Sequence, residues 1–180
     1  SFEHQDFEDT RSSSIKLLFV GSLDWYPNIN GIKWFINNVY SDMEKNFPNF
    51  ELNIVGRNPS IDLEKLIFKY KKIHLHKNVQ SVESFFLNSD IFINPIFDGG
   101  GINVKILEAL SYGIPIVSTS FGLRGYANAR FIPTANYPKE FLDEIGKLQT
   151  EYYQTIIDSE LKYYNQYQEK LLIEIQKFLP

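Results

Sequence analysis

The feature that most constrains the fold of this chain is an alternation of short, almost continuous apolar runs with segments whose apolar residues recur at helical spacing. Continuous apolar runs are typical of parallel strands buried on both faces, whereas antiparallel strands usually alternate apolar and polar residues. The runs that predict strands are residues 15–20, 52–55, 73–76, 91–96 and 116–119, with a last short strand at 131–132. The alternation predicts an α/β domain with a doubly wound parallel sheet and helices on both faces.

The segments between these runs have the periodicity of amphipathic helices. One stripe at i, i+3, i+4, i+7 and i+11 is formed by Ile32, Phe35, Ile36, Val39 and Met43. Asn30 is the predicted N-cap of this helix. Further helices are predicted over residues 61–70, around 82–86 and over 102–110. No apolar run reaches the roughly 18 residues of a membrane span, and no secretory signal opens the chain.

The length and the polarity pattern predict one domain with two appendages. The 180 residues suffice for one ordinary domain. Residues 1–14 are polar and acidic and predict a linker or disordered arm, and residues 15–150 hold the predicted domain. Residues 151–180 have the pattern of a C-terminal helix, which either packs on this domain or crosses to another one. Because the chain begins with Ser1 rather than Met, we expect it to be a piece of a longer protein.

The composition excludes several classes of function. With no cysteine, the chain has no disulfides, thiolate zinc sites or cysteine nucleophiles. A net charge of −4 gives no general attraction to nucleic acid or to anionic membranes. His74 and His76 share one face of a predicted strand, but no third ligand stands at useful spacing, so we expect no metal site. The dinucleotide, P-loop and nucleophile-elbow motifs are also absent from the sequence.

A glycine-rich loop gives the strongest indication of a binding site. Open α/β sheets bind ligands beyond the carboxyl ends of their strands. There, Gly99, Gly100 and Gly101 follow a predicted strand and precede a predicted helix. Glycines allow close approach of a ligand to backbone N–H groups, and a helix N-terminus carries about half a positive charge. Lys105 in the first helical turn opposes this dipole unless an anion lies nearby, so the loop predicts an anion site.

Two charged residues near the predicted strand ends each allow two interpretations. Glu108 lies three residues after Lys105 on an otherwise apolar helix. It either forms an intrahelical ion pair worth a few tenths of a kcal/mol, or accepts hydrogen bonds from ribose hydroxyls. Arg57 follows Gly56 directly after a strand. It is either a phosphate ligand or a solvated side chain in a helix-capping loop.

Several segments, in the correct order, resemble one family of enzymes. The segments are residues 19–28 (FVGSLDWYPN), 54–60 (IVGRNPS), 95–119 (PIFDGGGINVKILEALSYGIPIVST) and 121–125 (FGLRG). They resemble the second domain of the GT4-type, or "group 1", retaining glycosyltransferases, which have the two-domain GT-B fold. The similarity extends over about residues 15–125, which makes it more specific than any single motif.

The resemblance implies a Rossmann-like C-terminal domain, one half of a GT-B fold, that binds a nucleoside-diphosphate sugar as substrate. It implies no cofactor and no metal. The carboxylate of Glu108 would hold the ribose hydroxyls, and the segment from Gly99 to Asn103 would face the diphosphate and the donor sugar. The expected donor-binding residues are Gly21, Ser22, Arg57, Gly99, Gly100, Gly101, Ile102, Asn103, Lys105 and Glu108.

The chain departs from the family pattern at three positions. Many members carry a second Glu eight positions before the last one, where this chain has Gly100. The usual Arg and Lys of the first loop are replaced by Ser22 and Asn30. Asp98 is the nearest acid and, with Lys105, a candidate catalytic residue. Lys105 and Arg57 are the candidates to supply the missing positive charge.

The resemblance implies that the whole protein transfers a hexose to an acceptor hydroxyl with retention, in bacterial surface polysaccharide synthesis. We expect a cytoplasmic enzyme whose missing N-terminal domain binds the acceptor and allows peripheral association with the inner face of the membrane. The isolated piece is expected to bind nucleotide weakly and to be inactive. Two alternatives stay open: a degenerate, non-catalytic nucleotide-sugar-binding or partner subunit, and a GT-B nucleotide-sugar epimerase.

Overall fold

The structure, a computed structural model, describes residues 14–126 and 132–149. Five strands form one sheet: β1 (Lys16–Val20), β2 (Glu51–Gly56), β3 (Ile73–Lys77), β4 (Ile91–Asn94) and β5 (Ile116–Ser118). Their order is β3-β2-β1-β4-β5, and every neighbouring pair is parallel. The chain therefore winds outward from β1 in both directions, which puts helices on both faces of the sheet. The predicted doubly wound α/β fold is confirmed.

Six helices are described: α1 (Tyr26–Asn38), α2 (Tyr40–Asn46), α3 (Ile61–Ile67), α4 (Glu83–Leu87), α5 (Val104–Ser111) and α6 (Pro138–Lys147). The single helix predicted around residues 32–43 is two helices that meet at Val39. The predicted N-cap at Asn30 is wrong, because α1 begins at Tyr26 after Trp25. The fixed φ of Pro27 suits the first helical turn, so the helix starts there and Asn30 lies inside it.

The chain after β5 differs from the prediction in two respects. In place of a strand at 131–132, the structure has an isolated parallel bridge between Ser118 and Thr134; residue 131 lies outside the described residues. Helix α6 was not predicted. Phe141, Ile145 and Leu148 are buried on one of its faces, and the Glu140 carboxylate accepts hydrogen bonds from the backbone N–H groups of residues 136 and 137. The predicted arm over 1–14, apart from Ser14, and the predicted tail helix over 151–180 also lie outside the described residues.

The central strands form the core, as their apolar sequences predict. Every residue of β4 is buried, and so is β1 after Lys16. Phe92 of β4 is fully buried, and large side chains buried outside these strands include Phe35, Phe86 and Phe141. Full burial of one such side chain stabilises the fold by about 1.5–3 kcal/mol. The core thus fixes the positions of β1 and β4, and the loops that follow these two strands flank the point where the strand order reverses.

Candidate functional site

A cleft of about 240 Å³ lies at the carboxyl ends of β1, β4 and β5. It therefore occupies the topological switch point, where open α/β sheets bind their ligands. Its lining comes from the β1 end, the start of α1, the loop from β4 into α5, and the turn after β5. These lining residues are Val20, Gly21, Ser22, Trp25, Pro27, Asn28, Ile96, Asp98, Gly99, Gly100, Gly101, Ile102, Asn103, Val104, Lys105, Phe121, Gly122 and Arg124.

The loop after β1 is held by its own side chains and by the neighbouring strand. The N–H of Gly21 donates to the carbonyl of Val55 at 3.0 Å, and Asn28 Nδ2 donates to the carbonyl of Ser22 at 2.9 Å. Asp24 accepts from Asn58 Nδ2 at 3.0 Å and from Ser22 Oγ at 2.8 Å. These two hydrogen bonds, the one from Asn58 first, lower the pKa of the Asp24 carboxyl. The loop thus enters the cleft in a fixed conformation.

A buried polar chain anchors the start of α5. Asn94 and Ser118 are 1% and 0% exposed, and Asn94 Nδ2 donates to Ser118 Oγ at 2.9 Å. Asn103 Nδ2 donates to Asn94 Oδ1 at 2.6 Å, while Asn103 Oδ1 accepts from the N–H of Lys105 at 3.2 Å and caps the helix. Our sequence predictions included Asn103 but omitted Asn94 and Ser118. The signal for Asn94 was a single Asn inside an apolar strand, where a buried amide requires partners.

The charged residues on α5 form a pair at the rim of the cleft. The ammonium of Lys105 donates to the carboxylate of Glu108, and the two side chains are 30% and 29% exposed. This is the intrahelical pair that the spacing allowed. Lys105 lines the cleft, whereas Glu108 lies one helical turn beyond the lining residues. The role of Glu108 with ribose hydroxyls stays a prediction.

The other predicted charges occupy different places. Asp98 is exposed and lines the cleft. Arg57 is exposed at the end of β2 and is not among the lining residues. Arg124, which the sequence analysis did not select as a site residue, does line the cleft. Its Nη2 donates to the carbonyls of Gly99 at 3.2 Å and Gly101 at 2.9 Å, and its guanidinium lies 3.9 Å from the centroid of the Phe121 ring.

A second, larger cleft of about 460 Å³ lies at the opposite edge of the sheet, beside the amino ends of the strands. Its lining includes Leu87, the last residue of α4, and the C-cap residues that directly follow α5 and α6, Tyr112 and Leu148. Helix C-termini carry partial negative charge, and Asp90 also lines this cleft. Local charge therefore favours an anionic ligand in the first cleft, at the carboxyl ends of the strands, and disfavours one in this second cleft.

Residues 14–126 and 132–149 contain neither a metal-binding cluster nor a membrane-spanning helix. No three histidine, aspartate or glutamate side chains in this part of the chain come close enough together to hold a metal ion. None of the helices described there has both the length and the apolar character needed to cross a bilayer.

The fold and the position of the cleft define the class of protein: a Rossmann-like α/β domain with a cleft at its switch point. The sequence of residues 14–151 matches the family described as Glycosyl transferases group 1. The chain belongs to this family of glycosyltransferases, as the motifs predicted. A curated relative, an uncharacterized 44.6 kDa protein in the cps region of Klebsiella pneumoniae, is 33% identical over 116 residues. The match covers 61% of this chain and 30% of the relative.

Solved glycosyltransferases share the fold. WaaG, a glycosyltransferase involved in lipopolysaccharide biosynthesis, superposes with a TM-score of 0.64 at 19% identity, over 85% of this chain and 43% of WaaG. A glycosyltransferase from Rickettsia africae gives 0.65 at 14% identity, over 84% and 42%. HepE from Anabaena, solved with UDP and glucose, gives 0.62 at 11% identity, over 86% and 44%. The chain thus spans less than half the length of each of these proteins.

Proposed function

We propose that this chain is the donor-binding domain of a GT4-type retaining glycosyltransferase. The whole protein would transfer a hexose from a nucleoside diphosphate to an acceptor hydroxyl, and a separate N-terminal domain would supply the acceptor site. The cps-region relative supports a role in bacterial surface polysaccharide synthesis, since its sequence is 33% identical over the matched 116 residues. The expected location, in the cytoplasm or at the inner face of the membrane, belongs to this same proposal.

The observation that carries the proposal is the composition of the cleft at the switch point. The three glycines and the N-terminus of α5 bring backbone N–H groups to one wall of the cleft. A helix N-terminus attracts a phosphate through its free N–H groups and its dipole. Lys105 and Arg124 add positive charge to the same lining. This arrangement fits the diphosphate of a nucleotide sugar better than a neutral ligand.

The remaining lining residues suit the uncharged parts of the donor. The side chain of Trp25 is 53% exposed at the cleft and offers an apolar ring face to a sugar or a base. Glu108, one helical turn beyond the cleft lining, pairs with Lys105 through one carboxylate oxygen. Its other oxygen makes no hydrogen bond within the described residues and could accept from ribose hydroxyls. We propose that Lys105 faces the diphosphate while Glu108 faces the ribose.

The diphosphate would leave without a metal. We propose that the N–H groups of residues 99–103 and the cation of Lys105 stabilise the charge that develops on the leaving phosphate, since donors fixed in advance need no reorganisation during the reaction. Asp98 lines the same cleft and stays a candidate catalytic residue. The chain by itself is expected to bind nucleotide without transferring sugar.

Calorimetric titration with UDP, GDP and ADP tests this proposal. We expect one of the three to bind, and we expect Glu108→Ala to weaken it at least about tenfold, or about 1.4 kcal/mol. Glu144→Ala is the matched control, because Glu144 also pairs with a lysine three residues away but lies on α6, outside the cleft. Equal affinity in wild type and Glu108→Ala would contradict the ribose role, and no binding at millimolar concentration would contradict the proposal.

One observation favours a second candidate, a degenerate nucleotide-sugar-binding or partner subunit. Gly100 stands where many family members carry a glutamate, and no heavy atom of the described residues, apart from its two chain neighbours, lies within 4 Å of an added Cβ. A carboxylate there would fit, and its absence removes a polar contact from the cleft. Transfer activity in the whole protein, measured as release of nucleoside diphosphate on addition of acceptor, separates the enzyme from this alternative.

A further inference from the structure

Arg124 has no role in the predicted site, yet it makes the contacts that fix the glycine loop. We propose that Arg124 is a positioning residue for donor binding: it holds the carbonyls of Gly99 and Gly101 so that the intervening loop presents paired N–H groups to the diphosphate. This inference rests on the proposed function. It assigns to Arg124 the shaping of the anion site, whereas the sequence analysis named Arg57 and Lys105 as candidates to supply positive charge there.

The geometry of the peptide group determines where the N–H groups of Gly100 and Ile102 point. The C=O and N–H of a trans peptide point in opposite directions, and the described chain contains no cis peptide. Since the carbonyls of Gly99 and Gly101 both point to the guanidinium, the N–H groups of Gly100 and Ile102 both point away from it. Within the described residues neither N–H donates a hydrogen bond. Arg124 thereby aligns two free donors on one side of the loop.

The loop adopts this shape only with glycine at its two anchoring positions. Gly99 and Gly101 have φ angles of 116° and 75°. These values lie in the left-handed region, which costs other residues about 1 kcal/mol or more. Gly100 between them has no such angle. Two glycines are therefore required to turn both carbonyls toward the arginine, and the third stays open to a ligand.

The surroundings of Arg124 hold its guanidinium in place. The group lies on the face of Phe121, which favours a planar cation through cation–π attraction. No carboxylate of the described chain forms an ion pair with it, whereas Lys105 is paired with Glu108. Within the described residues its positive charge is thus not taken up by an ion pair. A lysine would keep the charge but lose the stacking on Phe121 and the planar fork of donors.

The test compares binding of the diphosphate with binding of its nucleoside. The nucleotide that binds wild type and the corresponding nucleoside are titrated into wild type, Arg124→Gln and Arg124→Lys. We expect both variants to bind the diphosphate about tenfold more weakly and the nucleoside unchanged, because only the phosphates contact the loop. Lys69→Gln is the charge-matched control, since Lys69 is exposed near the amino end of β3, at the opposite edge of the sheet. We expect it to bind like wild type.

Four other outcomes would contradict the positioning role of Arg124, and each would indicate a different cause. Wild-type affinity in Arg124→Lys would show that charge alone matters, and equal loss in Lys69→Gln would assign the effect to net charge. Loss of nucleoside binding together with diphosphate binding would indicate general damage to the cleft. Unchanged diphosphate affinity in Arg124→Gln would refute the role while leaving the proposed function intact. Failure of wild type to bind would instead refute the proposed function.

Discussion

Replacing Gly31 by alanine places a methyl group between helix α1 and the backbone that follows β4. An ideal Cβ at this position lies 2.3 Å from the carbonyl oxygen of Pro95 and 3.1 Å from its carbonyl carbon. Ordinary contact begins at 3.4 Å, so the gap to the oxygen must open by 1.1 Å (3.4 − 2.3). Because the obstructing atoms belong to the backbone, no side-chain rotation relieves the contact, and the helix or the strand end must move.

Two opposing free-energy terms decide whether Gly31→Ala stabilises or destabilises the domain. Inside a helix, alanine is more favourable than glycine by about 1 kcal/mol. Overpacking of a filled site costs about 1–3 kcal/mol. A contact this short against backbone belongs in the upper half of that range, so we expect Gly31→Ala to lower the free energy of unfolding by about 1–2 kcal/mol.

Urea and thermal unfolding of the variant measure this effect. For a domain of this size the midpoint falls by about 2–4 °C per kcal/mol, so we expect a decrease of about 2–8 °C. Gly100→Ala is the control, because no atom lies within 4 Å of its added Cβ, and its stability should stay within about 0.5 kcal/mol of wild type. A Gly31→Ala variant as stable as wild type, or more stable, would refute the close approach of α1 to Pro95.

Three further predictions address the core, the polar chain and the pH dependence. Asn94→Ala removes a buried amide that bonds both Ser118 and Asn103, and we expect a loss of about 1–3 kcal/mol in the free energy of unfolding, measured in urea. Phe92→Ala, at 0% exposure in β4, should cost about 3–5 kcal/mol; a loss below 1 kcal/mol would contradict its central position. Burial, and secondarily the charge of His74, lowers the pKa of His76 below the ordinary 6.5. The unfolded chain therefore binds this proton more tightly, and the stability that is fully present above pH 6.5 is lost progressively as the pH falls from 6.5 through the lowered pKa of His76 in the folded chain. His76→Gln should reduce the fall in stability between about pH 7 and pH 5, and an unchanged slope would contradict the assignment.

The sheet could be predicted from sequence because each strand is an almost uninterrupted apolar run. Burial on both faces leaves no place for alternating polar residues, so β1, β2 and β4 are visible in the sequence within one or two residues of their ends. The N-cap of α1 was predicted at Asn30, five residues after the observed N-cap at Trp25. Trp25 provides no side-chain cap, so the capping signal is missing and only Pro27 in the first turn marks the start.

The candidate site could be predicted only in part, because sequence order does not show which loops meet across the sheet. The glycine loop and Asn103 were found from their position after a strand, and they do line the cleft. Arg57 follows β2, which is two strands away from β4, whereas Arg124 follows β5, which pairs with β4. The strand order therefore decides which arginine reaches the loop. Nothing in the local sequence of either residue contains that information.

The measurement that tests the central claim most directly is a map of amide chemical shifts as UDP, GDP or ADP is added to the chain. We predict that the largest changes occur at Gly99, Gly100, Gly101 and Asn103, together with Gly21 at the end of β1, because these residues line the cleft at the switch point. Changes concentrated at the opposite edge of the sheet, around the second cleft, would contradict this placement. The absence of any change at millimolar nucleotide would contradict the claim that this domain binds the donor.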